Sequence, residues 1–253
     1  MDKHKLLFYD AYEDFYAMTG KSDAFRAFCR DAFGEDFSQD GFSDLEQVDR
    51  ILKYIPKGEN AQILDIGCGS GKMLGYLQRQ TGAHIYGFDY SAQAIKTAEA
   101  LFPVNSEFQE AVIGEADYPE GKFDVVTSMD TMYFAEDMTA FMMQIKKWLK
   151  PQGVFFAGYQ EGDVIPKTEN MDTTQLSAAL GKCGMAYEVW DITEQTYRLL
   201  KRKRAAAVLH KPEFEAEGNR QWFDMLMGQT ECAAEPYERF REKMARYIYA
   251  ARK

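Results

Sequence analysis

The sequence predicts an α/β protein built on a mostly parallel sheet, and two observations lead to this prediction. From residue 62 onwards, short apolar runs typical of buried strands alternate with longer segments of helical period. At 253 residues with 46% hydrophobic side chains, the chain is long enough for one such domain with appended helices. Strands that alternate with helices of this length form βαβ units, and these units build parallel sheets.

The predicted elements follow one another without a clear linker. The first strand is QILDIG, and the helix after it ends at Gly82. A second strand is AHIYGFD, and the helix SAQAIKTAEALF stops before Pro103. The alternation continues with NSEFQE, FDVVTSM, a helix through FMMQIKKWL, and GVFFAGY. Residues 172–184 are predicted to be helical, AYEVWDI and RYIYAARK to be strands, and residues 193–243 between those two strands to be mostly helical.

Charge and cysteine content narrow the classes of function. Lys and Arg total 30 against 40 Asp and Glu, so the net charge of -10 disfavours a nucleic-acid partner. The charged amino terminus lacks the features of a signal peptide, and no apolar run approaches the ~20 residues of a membrane span. The four cysteines lack zinc-ligand spacing, which predicts reduced thiols and no metal. We therefore expect a cytoplasmic protein with no membrane partner.

A strand followed by three alternate glycines is the most informative stretch of the chain. In ILDIGCGSGKM, residues 63–73, the chain turns through Gly67, Gly69 and Gly71 into a helix. Glycine has no Cβ and tolerates positive φ, so this turn predicts close approach of a ligand at the carboxyl end of a parallel strand. A nicotinamide- or flavin-binding fold favours GxGxxG, but Lys72 occupies the position of its third glycine.

The GxGxG spacing, with Asp65 two residues before the first glycine, resembles motif I of class I S-adenosylmethionine-dependent methyltransferases. The resemblance covers about 100 residues. YGFDYS places Asp89 where the family has an acid at the end of its second strand, and FDVVTSMD matches the fourth strand. LKPQGVFF resembles the LKPGG turn before the fifth strand, with Gln152 in place of the first glycine. RYIYAARK resembles the antiparallel seventh strand.

This resemblance implies a complete architecture. The sheet is expected to be Rossmann-like, with seven strands, an antiparallel last strand and helices on both faces. Residues 1–58 are expected to form an amino-terminal helical lid, and residues 59–253 the methyltransferase domain. The segment of about residues 193–243 is then a helical insertion before the last strand.

The resemblance also implies a cofactor site for S-adenosylmethionine, whose demethylated product is S-adenosylhomocysteine. Asp65 is expected to hold the methionine end and Asp89 the ribose hydroxyls, because a carboxylate accepts two hydrogen bonds at once. Asp89 alternatively caps the helix that follows, although Ser91 is the better cap. The family's acid near the adenine is missing, which leaves Glu110 or the backbone near Val112 and Ile113. The full cofactor-binding set is Asp65, Gly67, Cys68, Gly69, Gly71, Asp89, Tyr90, Glu110, Val112 and Met129.

The acceptor site is expected from the segments that vary most in this fold. Asp130 and Tyr133 lie where relatives place residues that face the transferring methyl group, and we predict them as catalytic residues. Asp130 is interpreted as a base, an acceptor-orienting group or a solvated loop acid. Further predicted substrate or lid residues are Tyr12, Tyr16, Tyr159, Tyr197 and Trp222. The alternative for the aromatic residues of the amino terminus is simple packing on the sheet.

The sequence thus predicts a methyltransferase that transfers a methyl group from S-adenosylmethionine to a small molecule by in-line displacement. Such a reaction depends on alignment and exclusion of water, so few catalytic residues are needed. A Rossmann-type NAD(P)-dependent oxidoreductase and a non-catalytic S-adenosylmethionine-binding protein are the alternatives. The acceptor, the atom that is methylated and the oligomeric state are not predicted.

Overall fold

Seven strands lie in one mixed sheet within residues 3–253, which are the residues that the computed structural model describes. Their bounds are β1 (Gln62–Ile66), β2 (His84–Asp89), β3 (Ser106–Glu110), β4 (Phe123–Met129), β5 (Leu149–Glu161), β6 (Ala186–Asp191) and β7 (Ala245–Arg252). The order across the sheet is β3-β2-β1-β4-β5-β7-β6. Neighbouring strands are parallel except that β7 is antiparallel to both β5 and β6. The predicted Rossmann-like sheet with an antiparallel last strand is therefore confirmed.

Eleven α-helices accompany the sheet in the described residues. Their bounds are α1 (Tyr9–Thr19), α2 (Asp23–Phe33), α3 (Leu45–Leu52), α4 (Lys72–Thr81), α5 (Ala92–Leu101), α6 (Met138–Trp148), α7 (Gln175–Lys182), α8 (Thr193–Leu209), α9 (Lys211–Ala216), α10 (Arg220–Gln229) and α11 (Tyr237–Lys243). Local signals explain where helices begin and end. Ser91 Oγ accepts a hydrogen bond from Ala94 N at 3.1 Å and so caps α5. Gly82 ends α4 with a left-handed φ of 77°.

Helices cover both faces of the sheet because the central strands alternate their apolar side chains between two cores. Ile63 and Val125 lie in one core, and Leu64 and Val126 in the other. All four side chains are fully buried. The first core also contains residues of α1–α5 and α8, and the second contains residues of α6 and α7. The carboxyl ends of β1 and β4 are therefore fixed between two packed layers.

The amino-terminal helices and the predicted insertion pack together. Helices α8–α11 lie between β6 and β7, as predicted for about residues 193–243. Helix α8 packs against α2 and β7, whereas α1 packs against α5. The division into residues 1–58 and 59–253 stays a prediction, and residues 1 and 2 of that first range lie outside the described residues.

The fifth strand begins earlier than the sequence suggests. The LKPQ segment was expected as a turn, but β5 includes it from Leu149 onwards. Gln152 has a φ of 67°, and the register between β4 and β5 shifts between Phe123 and Val125. A left-handed residue at such an irregularity is most easily glycine, which explains why the resembling turn carries one there.

Candidate active site

The loop between β1 and α4 carries three glycines in the left-handed region. Gly67, Gly69 and Gly71 have φ values of 73°, 53° and 72°. A Cβ on Gly67 would lie 2.6 Å from Thr131 Cγ2, and a Cβ on Gly69 would lie 2.5 Å from Tyr16 Oη. The space beside this backbone is therefore used by side chains from the end of β4 and from α1. Any side chain at either glycine would displace them.

Two other residues of the loop serve packing. A Cβ on Gly71 would lie 3.0 Å from two ring carbons of Phe108 and 3.1 Å from Ala98 Cβ. Cys68 is buried, and its Sγ would lie 2.7 Å from a Cβ on Gly87. Burial also raises the pKa of the Cys68 thiol well above its ordinary value, so this thiol is not a nucleophile.

Asp65 is a buried carboxyl group next to the loop. Its Oδ1 accepts a hydrogen bond from Thr127 Oγ1 at 2.7 Å. Burial raises the pKa of Asp65 to about 7, the bond from Thr127 opposes this rise, and the charge of Asp89 adds to it. A cation placed beside such a group favours its ionised form. Asp65 is therefore suited to hold the ammonium group of a ligand.

Asp89 joins the loop to α5. Its Oδ2 accepts a hydrogen bond from Gly69 N at 2.9 Å, and its Oδ1 accepts one from Ser91 N at 2.9 Å. Burial raises the pKa of Asp89 to about 6, although these backbone hydrogen bonds oppose the rise. Because Ser91 caps α5 with its own hydroxyl, Asp89 is not needed as the cap of that helix.

A small cavity lies against the glycine loop. Its volume is about 50 Å³, and its lining residues are Tyr16, Phe37, Ser38, Gln39, Asp65, Gly67, Cys68, Gly69, Ser70, Met73 and Met129. Ser70 Oγ is buried and has no hydrogen-bond partner among the described residues. A buried hydroxyl without a partner is costly unless a ligand binds it. The donor and acceptor groups here fit the polar methionine end of S-adenosylmethionine.

The cavity is covered by residues 34–44, an irregular segment between α2 and α3 that we call the strap. Lys72, at the start of α4, contacts the strap with its ammonium group. Lys72 Nζ lies 2.7 Å from Asp36 Oδ2 and 2.6 Å from Ser38 Oγ. Lys72 occupies the position of the third glycine in a nicotinamide-binding motif. Here it links the strap to the glycine loop.

The insertion holds the other end of the strap. Arg202 Nη2 on α8 donates to Asp44 Oδ2 at 2.7 Å, and Lys203 Nζ donates to Gly41 O at 3.2 Å. Lys203 is 1% exposed, and burial lowers its pKa. The basic stretch of α8 therefore contributes two cations to the strap.

Tyrosine rings of α1 line the same region. Tyr12 and Tyr16 are stacked at 6.1 Å between ring centroids, and Tyr12 lies 6.2 Å from Tyr90. Burial raises the pKa of Tyr12 well above its ordinary value, and the charge of Asp40 adds to this. Burial and then the charge of Asp89 raise the pKa of Tyr16. Both phenols remain neutral donors close to carboxylates.

Three further residues of the predicted cofactor-binding set lie at the carboxyl ends of β3 and β4. Glu110 is exposed and stands in register with Asp89. Val112 is half-buried, and its carbonyl accepts a hydrogen bond from Glu115 N at 3.0 Å. Met129 ends β4 and lines the cavity.

Asp130 directly follows β4 and is 8% exposed, with a φ of 61°. It forms a bidentate ion pair with Arg246. Arg246 Nε lies 3.0 Å from Oδ1, and Nη2 lies 2.6 Å from Oδ2. Asp130 is therefore not a solvated loop acid, because Arg246 binds both of its carboxylate oxygens.

Tyr133 and Tyr159 lie in edge-to-face contact at 6.1 Å. Tyr133 is half-buried, and burial together with the charge of Asp130 raises its pKa. Tyr159 is fully buried in the second core, where its hydroxyl has no hydrogen-bond partner among the described residues. The structure thus brings Tyr133 near Asp130 and places Tyr159 within the protein interior.

The two aromatic residues predicted from the insertion have packing contacts. Tyr197 donates a hydrogen bond to Glu235 O at 2.9 Å and packs 5.2 Å from Phe240. Trp222 packs against Phe15 of α1 at 5.8 Å. Trp222 therefore supports the helix that carries Tyr12 and Tyr16, whereas Tyr197 is part of a separate small cluster.

Three residues of the site were missed by the sequence reasoning. Thr127 binds Asp65, Ser70 faces the cavity, and Arg246 binds Asp130. Ser70 lies inside the glycine motif, where a hydroxyl between two glycines is a usable signal. Arg246 lies near the start of a strand whose next five residues are apolar, which indicates a buried partner but not its identity.

Metal ligands and membrane-spanning helices are the two remaining features of the described residues that bear on the class of site. No group of three or more His, Cys, Asp or Glu side chains suited to a metal ion occurs among the described residues. Within the same residues, no helix is both long and apolar enough to span a bilayer.

Comparison with known proteins points to one family. A family model described as a methyltransferase domain matches residues 41–217. Phosphoethanolamine N-methyltransferase 3 of Arabidopsis thaliana is 27% identical over 212 residues, which cover 78% of this chain and 43% of that protein. Phosphoethanolamine N-methyltransferase of Plasmodium falciparum is 32% identical over 125 residues, which cover 48% of this chain and 46% of that protein. The chain thus matches less than half the length of either relative.

Solved structures share the fold. Phosphoethanolamine N-methyltransferase 2 of Haemonchus contortus, in complex with phosphomonomethylethanolamine and S-adenosylhomocysteine, has a TM-score of 0.75 at 19% identity. That match covers 95% of this chain and 59% of the other. Cyclopropane synthase MmaA2 of Mycobacterium tuberculosis has a TM-score of 0.71 at 18% identity, covering 96% and 98%.

The family match covers most of the chain and includes the glycine loop, Asp65 and Asp89. The predicted oxidoreductase and non-catalytic alternatives gain no support from it. Proteins of this family use S-adenosylmethionine, as the motif predicts. The chain belongs to the S-adenosylmethionine-dependent methyltransferase domain family.

Proposed function

We propose that this chain transfers the methyl group of S-adenosylmethionine to the nitrogen of a small amine. One observation carries the proposal. The buried carboxyl groups of Asp65 and Asp89 and the stacked tyrosines of α1 converge on a loop where only glycine fits. When bound there, S-adenosylmethionine supplies an activated methyl group and is converted to S-adenosylhomocysteine.

In this proposal the cofactor lies along the carboxyl ends of β1, β2 and β3. Asp65 holds the methionine end because burial raises its pKa to about 7, so that a bound cation is favoured. Ser70 holds the same end because its buried hydroxyl has no hydrogen-bond partner within residues 3–253. Asp89 accepts hydrogen bonds from the ribose hydroxyls. On the adenine side we place Tyr90, Glu110 and Val112. Met129 lies at the methionine end, where it lines the cavity, and Gly67, Cys68, Gly69 and Gly71 form the loop.

The acceptor side is aromatic and acidic, which favours an amine. The charges of Asp40, Asp89 and Asp130 all act on the buried hydroxyl of Tyr12. Aromatic faces attract cations with about 0.5–2 kcal/mol per ring, depending on desolvation. The curated relatives named above are phosphoethanolamine N-methyltransferases, and their names suggest the same acceptor class.

Asp130 and Tyr133 then have separate roles. Asp130 orients the amine through its carboxylate and does not remove a proton, because Arg246 occupies both of its oxygens. Tyr133, with its neutral hydroxyl, closes the acceptor side. The amine therefore arrives unprotonated or loses its proton to solvent before transfer.

The covering segments complete the site. We propose that the helices within residues 1–58, together with the strap, form the lid, and that water is excluded when it closes. A cytoplasmic location is part of this proposal and agrees with the four free cysteines of the chain. A nucleic-acid acceptor is disfavoured by the net charge of -10.

Methyl transfer from radiolabelled S-adenosylmethionine tests the proposal. The acceptors are phosphoethanolamine, phosphomonomethylethanolamine, ethanolamine and sarcosine, each followed by mass spectrometry of the product. We expect an N-methylated product from at least one amine, and at least about tenfold less of it with the Asp89→Ala variant when S-adenosylmethionine is limiting. Failure to methylate the nitrogen of any of these amines, or methylation of the ethanolamine hydroxyl alone, would contradict it.

A further inference from the structure

Arg246 is the centre of a buried network of hydrogen bonds that extends beyond Asp130. It lies near the start of β7 and is 1% exposed. Besides the two bonds to Asp130, its Nη2 donates to Ser43 Oγ at 3.0 Å, and its Nη1 donates to Gln47 Oε1. One guanidinium thus joins the end of β4 to the strap and to α3.

Neighbouring residues leave room for the Arg246 side chain and bind its backbone. A Cβ on Gly158 of β5 would lie 2.8 Å from Arg246 Nη2, so a glycine is needed there. The backbone N of Arg246 donates to Thr193 Oγ1 at 3.1 Å. A buried cation requires several well-aligned acceptors, and the planar guanidinium binds a carboxylate with two parallel bonds.

The loop that Arg246 holds is in contact with the glycine loop. Asp130 is kept at a φ of 61°, an uncommon conformation for a residue with a side chain. Thr131, the next residue, donates from Oγ1 to Ile66 O at 2.8 Å, and its methyl group fills the space beside Gly67. Thr131 therefore has its own bond to β1, whereas the position of the Asp130 carboxylate depends on Arg246.

We propose that Arg246 is a positioning residue for the acceptor. It fixes the Asp130 carboxylate against the acceptor side and, through Ser43 and Gln47, aligns that carboxylate with the strap. This inference rests on the proposed function, since Asp130 is taken there to orient the amine. Arg246 itself touches neither ligand and acts through Asp130.

A double-mutant cycle of Arg246→Met and Asp130→Asn tests this proposal with the amine that the wild-type enzyme methylates. We expect Arg246→Met to lower kcat/KM for the amine about tenfold or more, mainly through KM, while affinity for S-adenosylhomocysteine changes less than about twofold. In the Asp130→Asn background the same substitution should cost less than about twofold. Arg246→Lys keeps the charge without the paired bonds and should give an intermediate loss.

Arg252→Met is the matched control, because Arg252 is an exposed arginine on the same strand. It should leave kcat/KM and thermal stability unchanged. Equal losses from Arg246→Met in both backgrounds, in step with the loss of thermal stability, would make Arg246 a structural residue only. Full activity of Arg246→Met, or of Asp130→Asn, would also overturn the proposal.

Hydrogen exchange decides the inference if the wild-type enzyme methylates none of the amines, a result that counts against the proposed function alone. Arg246→Met should then accelerate exchange in residues 130–134 and 38–44 about tenfold, with strand β1 changed less than about twofold. Unchanged exchange, or uniform acceleration that includes β1, would overturn the role of Arg246.

Discussion

Asp89 uses both of its carboxylate oxygens on backbone N–H groups, one from Gly69 and one from Ser91. An ionised carboxylate offers about four lone-pair positions, so about two remain for other donors. The side chain that fixes the glycine loop to α5 can therefore also accept hydrogen bonds from a ribose. Its structural and ligand-binding roles are compatible.

Replacing Asp89 by Ala should lower affinity for S-adenosylhomocysteine at least about tenfold. Hydrogen bonds to a charged acceptor contribute about 1.5–3 kcal/mol each, and two are removed. Calorimetry measures the change, and Asp137→Ala is the control because Asp137 is an exposed acid that caps α6. An Asp89→Ala protein that folds and binds normally would leave Asp89 with a structural role alone.

Asp65 makes cofactor affinity depend on pH. Its pKa of about 7 means that it is partly protonated at pH 6, whereas a bound ammonium group favours its ionised form. Binding therefore releases a proton, and affinity for S-adenosylhomocysteine should rise about three- to tenfold from pH 6 to pH 8. Calorimetry at both pH values should show a much smaller rise for Asp65→Asn.

The raised pKa of Asp65 also predicts how the stability of the ligand-free protein changes with pH. At pH values between the ordinary pKa of an aspartate and about 7, Asp65 is more protonated in the folded protein than in the unfolded chain. The free energy of unfolding therefore falls as the pH rises through this range. Asp65→Asn should therefore raise the melting temperature of the ligand-free protein at pH 8 by a few degrees and have little effect at pH 4. A lower melting temperature at pH 8 would contradict this account of Asp65.

Some residues of the site could be predicted from their neighbours in the sequence. Others could not, because their partners lie far away along the chain. Ser91 was expected as a helix cap because its hydroxyl lies directly before a helical period, and it is one. Asp130 was singled out by its position after the fourth strand, but its partner Arg246 is 116 residues away. Ion pairs formed by tertiary packing leave no local periodicity to detect.

At the scale of elements, α1 and the strap determine access to the loop. Tyr16 fills the space beside Gly69, and Lys72 binds the strap at Asp36 and Ser38. The remaining cavity of about 50 Å³ is far below the roughly 300 Å³ at which small-molecule sites begin. Cofactor binding must therefore be accompanied by movement of α1, of the strap or of both.

Tyr12→Ala and Tyr16→Ala should lower methyl transfer more than thermal stability. Both rings are half-buried and pack at the edge of the first core, whereas the strands of the sheet lie after residue 60. We expect turnover to fall about tenfold or more, because closure aligns the acceptor and excludes water. Thermal melts and product formation on the same preparations give the comparison, with Tyr187→Ala on β6 as the control. Variants that melt far lower yet turn over normally at a permissive temperature would make these tyrosines core residues only.

The insertion shows where prediction of elements was limited. Its helical character and its place before the last strand followed from the apolar pattern between AYEVWDI and RYIYAARK. The packing partners of its aromatic residues could not be predicted in this way. The helical period shows which residues share one face of a helix, but it does not show which element packs against that face. Tyr197 packs within the insertion near Phe240, whereas Trp222 packs on α1.

At the scale of the whole molecule, the strand order determines where the ligands bind. Strand β1 lies between β2 and β4, so the chain reverses its direction of winding beside β1. Open α/β sheets bind ligands at the carboxyl ends of strands at such a reversal. The glycine loop, Asp89 and Asp130 follow or end these three strands. The alternation of strands and helices predicted the α/β class and the parallel sheet, whereas the antiparallel last strand was predicted from the family resemblance.

Calorimetric titration of the purified protein with S-adenosylmethionine, S-adenosylhomocysteine and NAD tests the central claim most directly. All three contain an adenosine, but only the first two carry the amino-acid end that Asp65 and Ser70 are proposed to hold. We expect both sulfur ligands to bind and NAD to give no binding heat. Binding of NAD, with neither sulfur ligand bound, would contradict the account of this loop.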